Sequence, residues 1–378
     1  MIYFDHAASS FPKPKEVVEA VSDALLHYSA NPGRGNHRLS EQAASVIQQA
    51  RKEIAQFFGL SDSNRVIFFQ NATGALNQAI LGFPFQRGDH VISTTIEHNS
   101  VRRPLEACAR EKGIRITYIP LKNGMFDEAE WEKALTEKTK LIAVNHASNV
   151  TGEIAPLAEI GSFANKHRIP LLVDASQTAG VLPIDMENMG IDLLAFPGHK
   201  SLLGPQGTGA LLIGKNINHL KPIMYGGTGA FSESEIQPEE LPYRLESGTL
   251  NTPGIAGLLA GLKVVKKRGL DAILTHEREL AKECIKRLKE IERVHVYGKG
   301  DLGVFAFAIE NADSHEIGMI LDQHYHIAVR AGLHCAPLIH NQLGTLNTGL
   351  VRVSFGYTNT KEEVDAFVSA IQEITQYY

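Results

Sequence analysis

The sequence predicts an α/β protein with a large domain around a mostly parallel sheet and a smaller α+β domain. The chain has 378 residues, more than one ordinary compact core accommodates, so two domains are expected. Short apolar runs alternate with segments of helical periodicity through most of the chain, as in parallel sheets covered by helices. After a long predicted helix, the remaining apolar runs predict a second, smaller set of strands.

Hydrophobic periodicity predicts the individual elements. Val17, Val21, Ala24 and Leu25 recur at the spacing of one helical face. Further helices are predicted at 75–81 and at about 254–269, and strands at 66–69, 90–93, 114–117, 141–144, 169–173, 192–196, 210–213, 294–297, 304–309, 327–330 and 351–355. This pattern assigns residues 15–255 to the large domain, and residues 1–14 with 256–378 to the small domain.

Composition excludes several classes of protein. Hydrophobic residues make up 43% and charged residues 21%, and the formal net charge is −5 without a long basic block, which argues against nucleic-acid or membrane partners. No signal peptide is expected at the N-terminus, and no run approaches the roughly 18 apolar residues of a membrane helix. The three cysteines, Cys108, Cys284 and Cys335, predict a reducing compartment rather than a disulfide framework. A cytoplasmic protein is expected, and no metal ligands are assigned.

Two ionisable residues follow predicted strands of the large domain. Asp174 ends the run 169–173, and Lys200 lies in a tight turn between the run 192–196 and the glycine-rich segment 203–209. Ligands bind at the carboxyl ends of parallel strands, and burial lowers a lysine pKa toward that of a Schiff-base nucleophile. Taken alone, Asp174 is also typical of a helix cap and Lys200 of a solvated loop. Together they supply the carboxylate and the amine that pyridoxal chemistry requires.

A phosphate site is predicted where the strand 66–69 turns into the next helix. Thr73 and Gly74 occupy this turn. Free N–H groups at a helix N-terminus bind anions, which makes the turn a candidate phosphate site. A simple threonine cap remains the alternative for this segment.

An ordered set of short motifs resembles the class V aminotransferase family and, within it, the cysteine desulfurases and selenocysteine lyases. The order of the motifs is specific, and they extend over nearly the whole chain. They are Tyr3–Ala8, Ala72-Thr73, Glu97-His98-Asn99, Ser148-Asn149, Val173–Gln177, Gly198-His199-Lys200, Ser247-Gly248-Thr249, Arg330–Cys335 and the segment around Arg352. The resemblance implies the pyridoxal-phosphate-dependent fold type I, which is aspartate-aminotransferase-like, and a homodimer with two active sites at the subunit interface.

The same resemblance implies roles for the cofactor-binding residues. Lys200 would hold pyridoxal 5′-phosphate as a Schiff base, Asp174 would pair with the pyridine nitrogen, and His98 would stack on the ring and transfer protons. The other implied contacts are Asn149 and Gln177 to the phenolic oxygen, Ala72, Thr73 and His199 to the phosphate, and Thr249 to the phosphate from the partner subunit. The family usually has a serine at the position of Pro197, and proline offers neither a hydroxyl nor an N–H.

A candidate substrate site lies in the C-terminal part of the chain. Arg352 alternates with apolar neighbours in the predicted strand 351–355, a pattern that is also typical of a surface arginine. By the resemblance, Arg352 would bind the substrate carboxylate through two parallel hydrogen bonds. Asn149 and Arg330 are the other candidate substrate-binding residues.

Cys335 differs from the other two cysteines in its surroundings. It lies among turn residues, beside His334 and close after Arg330, and nearby positive charge favours the reactive thiolate. Cys108 and Cys284 fall in helical patterns and are interpreted as small buried hydrophobic residues. On spacing alone, an unreactive Cys335 remains an alternative, whereas the resemblance makes it the nucleophile that accepts sulfur.

The leading hypothesis is a cysteine desulfurase that converts L-cysteine to L-alanine. It would capture the sulfur as a persulfide on Cys335 and pass it to an acceptor protein or thiol. The alternative is a selenocysteine lyase, or another class V lyase or transferase, in which Cys335 has no role. A third hypothesis, a non-catalytic interaction protein on the same fold, is disfavoured because both Lys200 and Asp174 are present.

Overall fold

The computed structural model describes residues 1–33, 35–121 and 124–378. Its strands are β1 Ile2–Tyr3, β2 Val66–Phe69, β3 His90–Thr94, β4 Arg115–Ile119, β5 Thr139–Asn145, β6 Leu171–Asp174, β7 Leu193–Pro197, β8 Gly209–Ile213, β9 Val294–Tyr297, β10 Val304–Ile309, β11 Ile327–Ala328, β12 Arg330–Gly332 and β13 Leu350–Ser354. Its α-helices are α1 Lys15–His27, α2 Arg38–Phe57, α3 Ala72–Leu81, α4 Asn99–Lys112, α5 Glu128–Ala134, α6 Leu157–His167, α7 Thr252–Arg268, α8 Leu270–Leu288, α9 Ser314–Tyr325, α10 Pro337–Leu343 and α11 Lys361–Ile374. None of the described helices has both the length and the apolar character needed to cross a membrane.

Seven strands of the described chain form the main sheet, in the order β2-β8-β7-β6-β5-β3-β4. Neighbouring strands from β7 to β4 are parallel, and β8 runs antiparallel to both β7 and β2. Alternate residues of the strands enter two separate cores, because α2, α6 and α7 cover one face and α3 and α4 cover the other. The predicted large α/β domain with a mostly parallel sheet is therefore confirmed.

A second, antiparallel sheet has the strand order β12-β13-β10-β9 and packs with α8, α9 and α11 around its own core. The single strand predicted at 327–330 differs from the structure, which has two short strands there. Ile327 and Ala328 pair with β1, whereas β12 pairs with β13. An apolar run does not show where the chain changes its pairing partner, so the sequence pattern merged the two strands.

Helix α7 begins two residues before its predicted start. Asn251 caps it by accepting the N–H of Gly254, and Pro253 suits the first turn, which lacks intrahelical partners for its N–H groups. Ile255 and Leu258 pack into the core of the main sheet. The proposed domain boundary at 255/256 falls within this helix and stays a prediction.

Candidate active site

One cavity of about 210 Å³ lies at the carboxyl edge of the main sheet. β5 ends at Asn145 and β6 ends at Asp174, and because neighbouring parallel strands end at the same edge, their terminal side chains converge there. The turn after β7 brings Lys200 to the same place. The predicted site residues that line the cavity are Ala72, Thr73, His98, Asn149, Asp174, Gln177, His199, Lys200, Arg330 and Arg352.

Lys200 and Asp174 form an electrostatically linked pair in this cavity. Burial lowers the pKa of Lys200 to about 8, and the negative charge of Asp174 opposes that shift. Burial raises the pKa of Asp174, while hydrogen bonds from Ser176 and the charge of Lys200 counteract the effect. Both the N–H and the hydroxyl of Ser176 donate to Oδ1 of Asp174. The other carboxylate oxygen accepts no hydrogen bond from the described residues, which leaves it available to a ligand.

The start of α3 contributes an anion-binding corner. Asn71 caps the helix by accepting the N–H of Gly74 at 2.8 Å, and the first-turn N–H groups of Ala72 and Thr73 have no intrahelical acceptor. His199 also lines the cavity, and its buried Nδ1 has no hydrogen-bond partner in the described part of the chain. The corner therefore offers hydrogen-bond donors to an anion, and its use as a phosphate site stays a prediction.

His98 is the N-cap of α4 and lines the cavity as a neutral imidazole. Burial lowers its pKa to about 4, and the nearby positive charge of Lys200 adds to the shift. Its Nδ1 accepts the N–H of Ser100 at 3.1 Å, which places the ring proton on Nε2. A neutral ring with its proton on Nε2 can both cover an aromatic ligand and exchange a proton with it.

Two of the amide side chains that line the cavity, Asn149 and Gln177, differ in how fully they are hydrogen-bonded. Asn149 donates from Nδ2 to the carbonyl of His334 at 2.8 Å, and its buried Oδ1 has no partner among the described residues. Gln177 donates from Nε2 to the carbonyl of Ala7 at 3.2 Å. Burying an amide oxygen without a hydrogen-bond partner costs folding free energy, so the Oδ1 of Asn149 marks a point where a ligand could donate a hydrogen bond.

Arg352 is buried and held by two partners. Its guanidinium donates to the carboxylate of Asp5 at 2.6 Å and to the carbonyl of Asn149 at 3.1 Å, and its Nε has no partner in the described chain. Arg330 faces Arg352 across the β12–β13 pair, so two guanidinium groups border the cavity on one side. This charge distribution suits a carboxylate ligand.

Cys335 does not line the cavity but lies in the loop beside it. Its carbonyl accepts the N–H of Asn99 at 2.7 Å, which fastens the loop to the start of α4 next to His98. Cys335 and His334 both have left-handed backbone angles, φ 57° and φ 53°, which residues other than glycine seldom adopt. Cys335 is exposed whereas Cys108 and Cys284 are buried, as interpreted from the sequence.

His334, the neighbour of Cys335 in the loop, is a buried and neutral imidazole. Burial lowers the pKa of His334 to about 3, so its ring is neutral near physiological pH. The ring packs nearly parallel to His340, with the two ring centroids 5.8 Å apart. His334 therefore adds no positive charge to the cysteine loop, and the expectation that nearby charge favours the thiolate of Cys335 stays a prediction.

Comparison with known proteins identifies the family. The family model described as aminotransferase class-V matches residues 2–367. The chain belongs to the class-V aminotransferase family. A protein from Halalkalibacterium halodurans named probable cysteine desulfurase is 36% identical over 389 residues, covering 100% of this chain and 94% of that protein. One of the same name from Pyrococcus abyssi is 36% identical over 387 residues, with the same coverage.

The fold agrees with solved structures of the family. The apo structure of a cysteine desulfurase from Thermococcus onnurineus NA1 has a TM-score of 0.93 and 35% identity, covering 100% of this chain and 95% of that chain. Solved cysteine desulfurases are fold type I enzymes, so the predicted fold type is confirmed. The chain is accordingly an enzyme of this family.

Class-V family members depend on pyridoxal 5′-phosphate, and the cavity of this chain fits that group. The unpaired Nδ1 of His199 and the free first-turn N–H groups of α3 could hold a phosphate. The unpaired Oδ1 of Asn149 and the carboxylate of Asp174 offer partners to polar atoms of a ring. The amine of Lys200 completes the donor set that the cofactor needs.

Thr249 lies outside this cavity in the single chain. It borders two other surface cavities, one with Gly248 and Arg51 and one with Leu250 and Asn251. Its predicted contact runs to the phosphate of a second subunit and stays a prediction.

Sequence reasoning missed several residues that support the site. Ser10 donates its N–H to the carbonyl of His199 at 3.0 Å and its hydroxyl to the carbonyl of Lys200 at 2.9 Å. Lys13 donates to the carbonyl of His199 at 2.7 Å. Asp5, the partner of Arg352, lies in the Tyr3–Ala8 motif. Ser10 and Lys13 lie outside the motifs, and no local pattern links them to the turn at His199, about 190 residues away.

Glu97 belongs to the motif Glu97-His98-Asn99, which gave it no role, and it is a second buried carboxyl near Asp174. Its Oε1 accepts the hydroxyl of Thr94 at 2.5 Å and the N–H of Asn145 at 2.9 Å, and its Oε2 has no partner among the described residues. Burial raises its pKa to about 8, and the charge of Asp174 adds to this. Glu97 is therefore mainly protonated at neutral pH.

Replacing Glu97 with glutamine should change the pH dependence of stability. In the unfolded chain Glu97 loses its proton near its ordinary pKa, whereas the folded chain keeps the proton until about pH 8. The wild type should therefore lose stability relative to Glu97→Gln as the pH rises from about 5 to about 8, by at most about 1.4 kcal/mol per pH unit. Melting temperatures of both proteins over this range, at equal cofactor loading, test the prediction. Glu290→Gln, a substitution of an exposed glutamate, is the control. A stability difference between the wild type and Glu97→Gln that does not change with pH would contradict the prediction.

Proposed function

We propose that the chain is a pyridoxal-phosphate-dependent cysteine desulfurase that converts L-cysteine to L-alanine and takes the sulfur onto Cys335 as a persulfide. The observation that supports this most is the placement of Lys200 and Asp174 in one cavity, with an exposed thiol on the adjoining loop. Relatives at 36% identity over the whole chain are named probable cysteine desulfurase, which supports the same reaction.

The cofactor, when bound, would supply an electron sink for the bonds around the substrate Cα. Lys200 would hold it covalently through Nζ, and Asp174 would keep its ring nitrogen protonated. Because burial lowers the pKa of Lys200 to about 8, a useful fraction of its amine is unprotonated near neutral pH. That amine can serve as the base that removes the Cα proton.

Substrate orientation would come from the arginine side of the cavity. Arg352 has donor positions left over after its bonds to Asp5 and Asn149, including Nε. A planar guanidinium can give two parallel hydrogen bonds to a carboxylate, and Arg330 adds charge beside it. The substrate carboxylate would thus be fixed with its sulfur free to face the cysteine loop.

Sulfur transfer would occur at Cys335. Its thiolate Sγ forms an S–S bond with the substrate sulfur while the substrate C–S bond breaks, and the carbon gains a proton in exchange for the one lost from the substrate thiol. The products are L-alanine and a persulfide on Cys335, without any external oxidant. Exposure of Cys335 leaves the persulfide accessible to an acceptor thiol or protein.

A homodimer is part of the same proposal. Thr249 lies outside the cavity of its own chain, and the segment before it exposes large apolar side chains that a second subunit would cover. These side chains are Ile223, Met224, Tyr225, Phe231, Ile236 and Tyr243.

Three free cysteines, one of them exposed, support a location in the reducing cytoplasm.

The direct test of the proposed function is product release from L-cysteine. We expect one alanine per substrate consumed, with sulfide appearing in bulk only when a thiol reductant regenerates the enzyme. Alanine that forms equally fast without reductant over many turnovers would argue for a lyase in which Cys335 has no role. A protein that binds no cofactor and releases no alanine would contradict the proposal.

Arg352→Ala should weaken amino-acid binding far more than cofactor binding. Loss of a buried two-pronged charged contact costs about 2–5 kcal/mol. Arg352→Lys keeps the charge but not the planar fork, so we expect a smaller but clear loss of substrate affinity. Titration of L-alanine and of the cofactor into each variant separates the two affinities. Arg65→Ala, which removes a partly buried arginine that does not line the cavity, is the control. Equal losses of both affinities would indicate a structural role for Arg352.

A further inference from the structure

Pro197 creates a gap in the donor set of the anion-binding corner. It ends β7 and lines the cavity, where the enzymes that the chain resembles usually have a serine. Proline has neither a hydroxyl nor a backbone N–H, so this part of the wall donates no hydrogen bond. A phosphate bound here would lack one donor unless another residue provides it.

Ser100 places a hydroxyl at the same corner from a different strand–helix unit. It lies in the first turn of α4, lines the cavity, and is 9% exposed. Its Oγ is 2.8 Å from Oγ1 of Thr73 and 2.9 Å from Nδ1 of His98. Three hydroxyl groups line the cavity in the described chain, those of Thr73, Ser100 and Ser176. The hydroxyl of Ser176 donates to Asp174, so those of Thr73 and Ser100 are the possible donors to an anion.

The hydroxyl proton of Ser100 is available to an anion. Without an anion the hydroxyl can donate to the lone pair of His98 Nδ1, 2.9 Å away, and that lone pair also accepts the backbone N–H of Ser100 at 3.1 Å. The hydroxyl proton can therefore turn toward an anion while Nδ1 keeps one donor. The contact with Thr73 joins two hydroxyls, either of which can rotate to donate elsewhere. An anion at the start of α3 can therefore receive a hydrogen bond from each.

We propose that Ser100 is a ligand of the cofactor phosphate and supplies the hydroxyl donor that Pro197 cannot supply. The proposal rests on the pyridoxal-phosphate site proposed above. It assigns Ser100 and Thr73 as a pair of hydroxyl donors, with the N–H groups of α3 and the ring of His199 completing the phosphate site.

Cofactor affinity measured with and without the phosphate group tests the proposal. The full-length protein is freed of cofactor and titrated with pyridoxal 5′-phosphate and, separately, with pyridoxal. Because a hydrogen bond to a charged group contributes roughly 1.5–3 kcal/mol, Ser100→Ala should weaken pyridoxal 5′-phosphate binding by about tenfold or more and leave pyridoxal binding unchanged. Ser93→Ala, which removes a buried β3 hydroxyl that does not line the cavity, should change neither affinity.

A second substitution tests whether Ser100 stands in for the serine that is missing at position 197. Pro197→Ser in the Ser100→Ala background should restore most of the lost affinity for pyridoxal 5′-phosphate. Unchanged binding of pyridoxal 5′-phosphate to Ser100→Ala, or an equal loss of affinity for both compounds, would overturn the assignment of Ser100 as a phosphate ligand. If Pro197→Ser does not restore the affinity of Ser100→Ala, Ser100 does not stand in for a serine at position 197. A wild type that binds neither compound would instead overturn the proposed cofactor site itself.

Discussion

A Lys200→Ala variant should lose all measurable turnover of L-cysteine. No other amine lines the cavity in the described residues, so the variant lacks both the covalent attachment point of the cofactor and the base for the Cα proton. Loss of proton transfer alone costs about 10²–10⁴-fold in rate. Alanine release and the absorbance of the covalently attached cofactor are the measurements, and both should disappear.

Cofactor affinity separates this effect from unfolding. The phosphate corner at the start of α3 remains in Lys200→Ala, so the variant should still bind pyridoxal 5′-phosphate noncovalently and reversibly. Lys215→Ala, at an exposed turn after β8, should behave as the wild type. Full activity in Lys200→Ala would refute the assignment of the cavity as the active site.

Cys335→Ala should remove nearly all activity on L-cysteine while leaving the cofactor bound. The substrate sulfur then has no thiolate to attack it, whereas Lys200 and Asp174 are unchanged. Activity on selenocysteine should fall much less, because selenium can leave without a protein nucleophile. The measurement is the rate on L-cysteine and the rate on selenocysteine, each determined for the wild type and for Cys335→Ala.

Sulfur location gives an independent readout of the same step. After one turnover of the wild type without reductant, thiol labelling followed by peptide mass analysis should find one extra sulfur on Cys335. Cys108 and Cys284 are internal controls, since both are buried and should carry none. Desulfuration of L-cysteine at the wild-type rate by Cys335→Ala would leave the lyase or transferase hypothesis as the better one.

The main sheet could be predicted from the sequence because its strands are short, apolar and separated by helices. Runs such as Leu171–Asp174 and Leu193–Pro197 are buried throughout, which is the pattern of strands covered on both faces. The division of 327–332 into two strands could not be predicted. It depends on pairing with β1 and β13, which are distant in the sequence.

The cavity residues were predictable where a motif marks them, and the supporting contacts were not. Lys200, Asp174 and Arg352 were identified from strand ends and family motifs, and the structure places them around one cavity. Ser10 and Ser100 contribute through contacts with residues that no local pattern connects to them. The neutral state of His334 depends on burial, which a sequence of turn residues does not reveal.

The pairing of the chain's two ends has a consequence for its synthesis. Ser354 donates its backbone N–H to the carbonyl of Phe4, and Asp5 binds Arg352 at a separation of 347 residues. A chain emerging from the ribosome can assemble the main sheet early, but Asp5 must wait for the synthesis of Arg352 before the arginine wall of the cavity exists. The corner at the start of α3 can therefore form well before the arginine wall that completes the cavity.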